Sequence, residues 1–175
     1  MARMSQEGVL DRIVPGVYLG ARHERQPLTE AAAWTLKHPH AVVCLLTAAT
    51  HHDLTDSFAG GTWIYVPKGS SPPRSRAVPV HAIQTARKYI DPDHDGDQDI
   101  TAVELHGVRL RVTGPDRTTI DMWRYPRRVS AEHALEALRR RARADDFSPP
   151  TFARLARRLG AWTKLEPVLQ GLVLR

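Results

Sequence analysis

The stretch Gly107–Arg124, GVRLRVTGPDRTTIDMWR, constrains the fold more than any other part of the chain, because it reads as a strand that turns directly into a helix. Val108, Leu110 and Val112 alternate with Arg109 and Arg111, which gives the strand one apolar face and one wet, basic face. Gly114 and Pro115 fit an N-cap followed by the first helical position, where a proline loses nothing by lacking an N–H. Asp116 falls in the first turn, where the free N–H groups of the helix start favour a carboxylate. Ile120 and Trp123 follow at helical spacing. Arg117 and Asp121 stand one turn apart and form a local structural clamp, worth a few tenths of a kcal/mol, roughly, on an exposed face. Ile100–Leu105 pairs with the strand across His106-Gly107 as a hairpin.

The rest of the chain supplies what such a unit packs against. Residues 5–20 read as a short β-ribbon, turned by Gly8, Pro15 and Gly16 and too small to stand alone. Residues 27–37 read as an alanine-rich helix ended by the His38-Pro39 step. The apolar run Ala41–Leu46 is open between strand and buried helix, and Thr47 fits the cap of a helix reaching about Leu54. Thr62–Pro67 is a strand. Val78–Ala86 is another, and Pro79 puts it at a sheet edge or a strand start. The helix from Pro115 ends before Pro126, and Ser130 caps the next. There Ala134, Leu135, Leu138 and Ala142 form an apolar stripe with Arg139, Arg140 and Arg143 on its flank. Thr151–Leu159 turns Phe152, Leu155, Ala156 and Leu159 inward and keeps Arg154, Arg157 and Arg158 off that stripe. Gly160 closes it, and Lys164–Leu174 is a last helix. The expectation is an α+β fold: a small antiparallel sheet with packed helices, a helical C-terminal tail and a short N-terminal ribbon.

Charge narrows the function. The 175 residues carry a net charge of +6 with a pI near 10.0, but the excess is uneven. Residues 1–100 hold 10 basic and 11 acidic residues, whereas residues 101–175 hold 15 and 8. A basic rear half calls for an anionic partner, either nucleic acid or an acidic protein face. No apolar run approaches the ~20 residues that span a bilayer, and the N-terminus has no apolar leader, so a cytoplasmic protein without a membrane partner is expected. Cys44, the single cysteine, sits in the apolar run and reads as a small buried hydrophobe.

Catalytic patterns are missing. There is no Walker loop, no G-x-S-x-G elbow and no Cys/His set at metal spacing. Pro115-Asp116 matches only the first half of a PD-(D/E)xK nuclease signature, since none of the four lysines has an acid two residues before it. Asp91, Asp93, Asp95 and Gly96 match positions 1, 3, 5 and 6 of an EF-hand loop, but Ala102 stands where the bidentate glutamate belongs. That acidic segment reads as a solvated turn, and a weak metal-dependent enzyme built on it is the least favoured alternative. His51-His52, adjacent on a helix, points two ways and does not chelate. The expected sites therefore include no catalytic residue, no metal and no cofactor.

Several segments, in order, resemble the AbiEi-type antitoxins, which also regulate transcription of type IV toxin–antitoxin operons. GVLDRIVPGVYLG is similar to the wing of that family's winged helix–turn–helix, and AVVCLLTAATHHDLTD to its segment with a Ser-Ala-Leu core, replaced here by Thr47-Ala48-Ala49. WIYVPKG resembles the next strand and VRLRVTGPDRTTIDMWR the most typical stretch. ALEALRRRAR, SPPTFARLARRLGAW and LEPVLQGL resemble the C-terminal end. The resemblance implies a wing remnant over residues 1–26 and an antitoxin domain over 27–175. It implies a non-catalytic antitoxin and autoregulator that neutralises a cognate nucleotidyltransferase-type toxin, with a general DNA-binding regulator as the alternative. Candidate contacts to DNA or partner are Arg12 on the wing and Arg139, Arg140, Arg143, Arg154, Arg157 and Arg158 on the tail. Operator DNA is the weaker partner, because the family's recognition helix would precede Met1 and base readout needs a helix in the major groove.

Overall fold

The computed structural model describes residues 9–57, 59–91 and 99–173. The architecture is α+β. A two-stranded ribbon, β1 (Leu10–Val14) and β2 (Val17–Gly20), precedes a five-stranded sheet of order β5-β4-β3-β7-β6. The sheet strands are β3 (Val42–Val43), β4 (Thr62–Pro67), β5 (Val80–Thr85), β6 (Ile100–Leu105) and β7 (Val108–Thr113). Six α-helices are described: α1 (Thr29–Lys37), α2 (Leu45–His51), α3 (Pro115–Arg124), α4 (Ala131–Ala142), α5 (Pro149–Arg158) and α6 (Trp162–Val173). None of them is long and apolar enough to cross a membrane.

The expected hairpin is present, with Ile100 opposite Thr113 and Leu105 opposite Val108. The sheet, however, is mixed rather than antiparallel. β3 runs parallel to β7, and β4 runs parallel to β5 across the long crossover 68–79. The cause is burial on both faces. All six residues of β4 are buried, as in a strand covered by packing layers on either side. On one face lie α1 and the ribbon, where Ile13, Val14 and Trp34 meet Val43, Ile64, Leu110 and Val112. On the other, Val42, Trp63 and Tyr65 meet Leu45, Met122 and Ala137 from α2, α3 and α4. A third cluster joins α5 and α6 to this layer through Ile120, Leu138, Phe152, Leu155 and Leu165.

The run 41–46 resolves into both of its readings: two strand residues, then a helix that opens at Leu45 after an extended Cys44. Thr47 is therefore not a cap. It lies inside α2, where its Oγ1 accepts the backbone N–H of Trp63 at 2.9 Å and ties helix to sheet. β5 starts one residue after Pro79, at the sheet edge. Residues 92–98, the centre of the aspartate-rich segment, lie outside the described residues. Asp99, at its end, is described and has a structural task. Its Oδ2 accepts the backbone N–H of Arg117 at 2.7 Å, so the free N-terminus of α3 is capped from eighteen residues upstream. Gly114 occupies the N-cap position, where any Cβ would run into the Asp99 carboxylate.

Candidate functional site

The arginines of the C-terminal half divide into two groups, and the first is spent inside the fold. Arg117 and Asp121 do form the expected clamp, but not on an exposed face: their side chains are 2% and 0% exposed. Arg117 Nε donates to Asp121 Oδ2 at 2.6 Å, and Arg124 donates to Oδ1 at 2.6 Å, so one buried carboxylate holds two guanidinium groups. Burial opposes the charge on Arg124, but the Asp121 carboxylate outweighs it and raises the arginine's pKa. Arg124 also lies over the rings of Tyr89 and Tyr125. Beside this pair, burial drives the Cys44 thiol well above its ordinary pKa, with the Asp121 carboxylate adding to the effect, so Cys44 is an inert core residue. Tyr65 is raised for the same two reasons in the same order.

Arg141, absent from the expected site residues, belongs to this internal group. It is buried on α4, its Nε donates to Asp116 Oδ1 at 2.6 Å, and a second nitrogen pairs with Asp146. Asp116 therefore braces α3 against α4 as well as standing in a favourable helix turn. The adjacent Arg139–Arg143 run concealed this, because the Asp116 partner is 25 residues away.

The second group stays outside. Arg139 on α4 and Arg143 at its C-cap are exposed, and their side chains make no hydrogen bond or ion pair among the described residues. Arg140, expected beside them as a contact residue, is instead engaged by Asp56 and by Glu136 one turn earlier. That engagement withdraws it from the set of free cations. On α5, Phe152, Leu155, Ala156 and Leu159 are buried as expected, and Arg154, Arg157 and Arg158 are exposed on the opposite side. Arg157 lies 4.6 Å over the Trp162 ring, which orients its guanidinium while leaving its hydrogen-bond donors open. Arg154 and Arg158 form no ion pair with a described residue. α5 contains no acidic residue, so its three arginines, all in the C-terminal half of the helix, meet no carboxylate of their own helix.

Arg12 is exposed on β1, opposite Tyr18 of β2. The ribbon that carries it is fixed to the body by the buried Ile13 and Val14 and by a hydrogen bond from Lys37 Nζ to Pro15 O of 2.9 Å. His51 and His52 do not point two ways as expected: their ring centroids lie 4.9 Å apart. His52 Nε2 lies 2.7 Å from Thr113 O, and burial holds its ring below the usual histidine range. Among the described residues no three His, Cys, Asp or Glu side chains come together as a metal site. A cavity of about 490 Å³ opens between the ribbon, the start of α1 and α2. Its charged lining comprises Arg25, Glu30 and Asp56, the last already held by Arg140.

No protein-family model matches the chain, and no curated protein matches it. A solved structure, the RV2827C protein of Mycobacterium tuberculosis, superposes with a TM-score of 0.60 at 17% identity over 97% of this chain and 63% of that one. The likeness shows a shared fold, and the chain spans a little under two thirds of that protein's length.

Proposed function

We propose that this protein is a non-catalytic antitoxin and transcriptional autoregulator that neutralises a nucleotidyltransferase-type toxin through the cationic faces of α4 and α5. The observation that carries this reading is the division among its arginines. The buried Arg117 and Arg141 each have carboxylate partners, whereas Arg139, Arg143, Arg154 and Arg158 face solvent without one. Each folded arginine that lacks an internal partner is available to a carboxylate or phosphate of another molecule, in the bidentate geometry that a guanidinium offers. The ordered resemblance to AbiEi-type antitoxins supplies the identity of that molecule. Arg12 on the ribbon would add a contact to a nucleic-acid backbone, where contacts position a protein without reading sequence.

The test is co-expression with a nucleotidyltransferase-type toxin. The wild-type chain restores growth, and a chain with Arg154, Arg157 and Arg158 changed to glutamate does not. A toxin left fully active by the wild-type chain overturns the proposal. The cluster of exposed arginines on α5, with no acid among them, also favours general DNA binding without a toxin. That reading requires binding to random duplex which weakens steeply with salt.

A further inference from the structure

The body of the protein carries a second cationic region, unconnected with the arginines of α4 and α5. Between Asp56 and Asp91 the sequence contains no acidic residue at all, while Lys68, Arg74, Arg76, Arg87 and Lys88 are basic. This segment builds β4, the crossover 68–79 and β5, and β5 is an edge strand. Pro79 O accepts the N–H of Thr62 at 3.0 Å, and Thr85 O accepts that of Lys68 at 2.8 Å, so the odd-numbered residues of β5 face β4. Strand alternation then turns the backbone N–H and C=O groups of Val80, Ala82 and Gln84 away from the sheet. No backbone hydrogen bond to them is formed by any described residue.

Edge strands are normally blunted by charge, by an interrupting proline or by a covering loop. β5, VHAIQT, carries no lysine, arginine or acid, and the only proline stands before its first residue. The crossover is pinned to the far end of the strand, where Gln84 Nε2 donates to Ser70 O at 2.8 Å. Over the near end it leaves a groove of about 290 Å³ against Val80 and Ala82. Pro72, Pro73 and Arg74 form one wall, the His81 ring stacked 4.2 Å from Trp63 forms another, and Arg128 closes it. Arg74 and Arg128 are exposed, and among the described residues no carboxylate lines the groove.

We infer that this groove docks an acidic, extended peptide of a partner protein, which adds to the open edge of β5 as a further strand. The backbone of Val80 and Ala82 supplies main-chain hydrogen bonds, and Arg74 and Arg128 meet carboxylates at alternate peptide positions. This goes beyond the antitoxin reading and does not depend on it.

A fluorescein-labelled dodecapeptide of alternating glutamate and valine is the probe, with alternating lysine and valine as control, read by fluorescence anisotropy. The acidic peptide binds saturably and the basic one does not. Ala82→Pro removes an outward N–H without breaking the β4–β5 ladder, and weakens binding tenfold or more at an unchanged melting temperature. Arg74→Glu with Arg128→Glu does the same, while the α5 triple glutamate variant binds the peptide normally. If Ala82→Pro does not fold, the acidic peptide N-methylated at alternate residues replaces it, and must bind tenfold more weakly to the wild-type chain. Equal binding of methylated and unmethylated peptides overturns strand addition. Displacement of the acidic peptide by random single-stranded DNA at lower concentration makes the groove a nucleic-acid surface and overturns the proposal. So does a dimer that Ala82→Pro dissociates, which would make the occupant a second copy of the chain.

Discussion

Two helices of this protein are built alike and do opposite things with arginine. α3, PDRTTIDMWR, and α5, PPTFARLARR, are each ten residues long, begin with proline at the first helical position and end in arginine. α3 carries Asp116 and Asp121; α5 carries no acid. On α3 a carboxylate one turn from Arg117 makes burial of the charge tolerable, and seven of its ten residues are buried. On α5 the arginines have nothing internal to neutralise them, and the helix lies with Phe152 inward and Arg154, Arg157 and Arg158 outward. The two carboxylates therefore separate an arginine-bearing helix that joins the core from one that keeps its arginines in solvent.

The largest expected effect tests the α3 side of that contrast. Asp121→Ala strips the counter-ion from two guanidinium groups, one of them fully buried, and should cost about 3–5 kcal/mol of unfolding free energy. Urea denaturation measures it directly, and a loss below about 1 kcal/mol would mean that water reaches Arg117. On α5 the corresponding change acts on binding instead. The Arg154, Arg157 and Arg158 triple glutamate variant should melt within about 2 °C of wild type, because exposed substitutions leave stability nearly unchanged. Partner affinity should fall tenfold or more. If the partner is duplex DNA, replacing these residues by alanine should flatten the salt dependence by roughly 0.9 log units per phosphate contact removed. A large drop in melting temperature would instead place these arginines in the packing.

Caps sharpen the comparison at a smaller scale. The N-terminus of α3 receives a carboxylate from Asp99, whereas the side chain of Ser148, the N-cap of α5, bonds Thr151 Oγ1 and no backbone N–H. Asp99→Ala should therefore cost about 1 kcal/mol by urea denaturation, and Ser148→Ala distinctly less. Equal costs would show that the Asp99 contact adds nothing beyond an ordinary helix start.

The legible parts of this molecule are those whose cause is local. The hairpin 100–113, the Gly114-Pro115 helix start, the Ser130 cap and the inward face of α5 each depend on residues within a few positions of one another. Ser130 accepts the His133 N–H as expected. What escaped sequence reading depends on distant partners. The spacing of Arg117 and Asp121 announced a clamp but not its burial, which α2, α4, α5 and α6 impose from outside. Arg141 was passed over beside Arg139, Arg140 and Arg143, because its partner Asp116 is 25 residues away, and Asp99 looked like part of an acidic turn. The parallel pairing of β4 with β5 was hidden because the crossover 68–79 carries no helix to signal it. Among the expected contact residues, Arg140 is the one whose side chain is held by acids of its own chain, which the sequence could not signal because Asp56 lies 84 positions away.

The smallest expected effect separates the two helices by pH. His52 reaches the strand end that leads into α3, with Nε2 2.7 Å from Thr113 O, and burial lowers its pKa. The unfolded chain then takes up a proton at a higher pH than the folded one. The contribution of this neutral ring is complete above the ordinary histidine pKa, about 6.5, and is lost as pH falls through the lowered folded value. Unfolding free energy measured at pH 7.5 and pH 5.5 should thus decline, and His52→Gln, which retains a donor for Thr113 O but cannot titrate, should decline less. Some slope should persist, because burial also lowers His38 and His51. The α5 triple variant should leave the slope untouched, since no histidine occurs from Pro149 to Val173. An identical slope in His52→Gln and wild type would show that protonation of this ring does not oppose folding, and that the junction into α3 depends on its carboxylates alone.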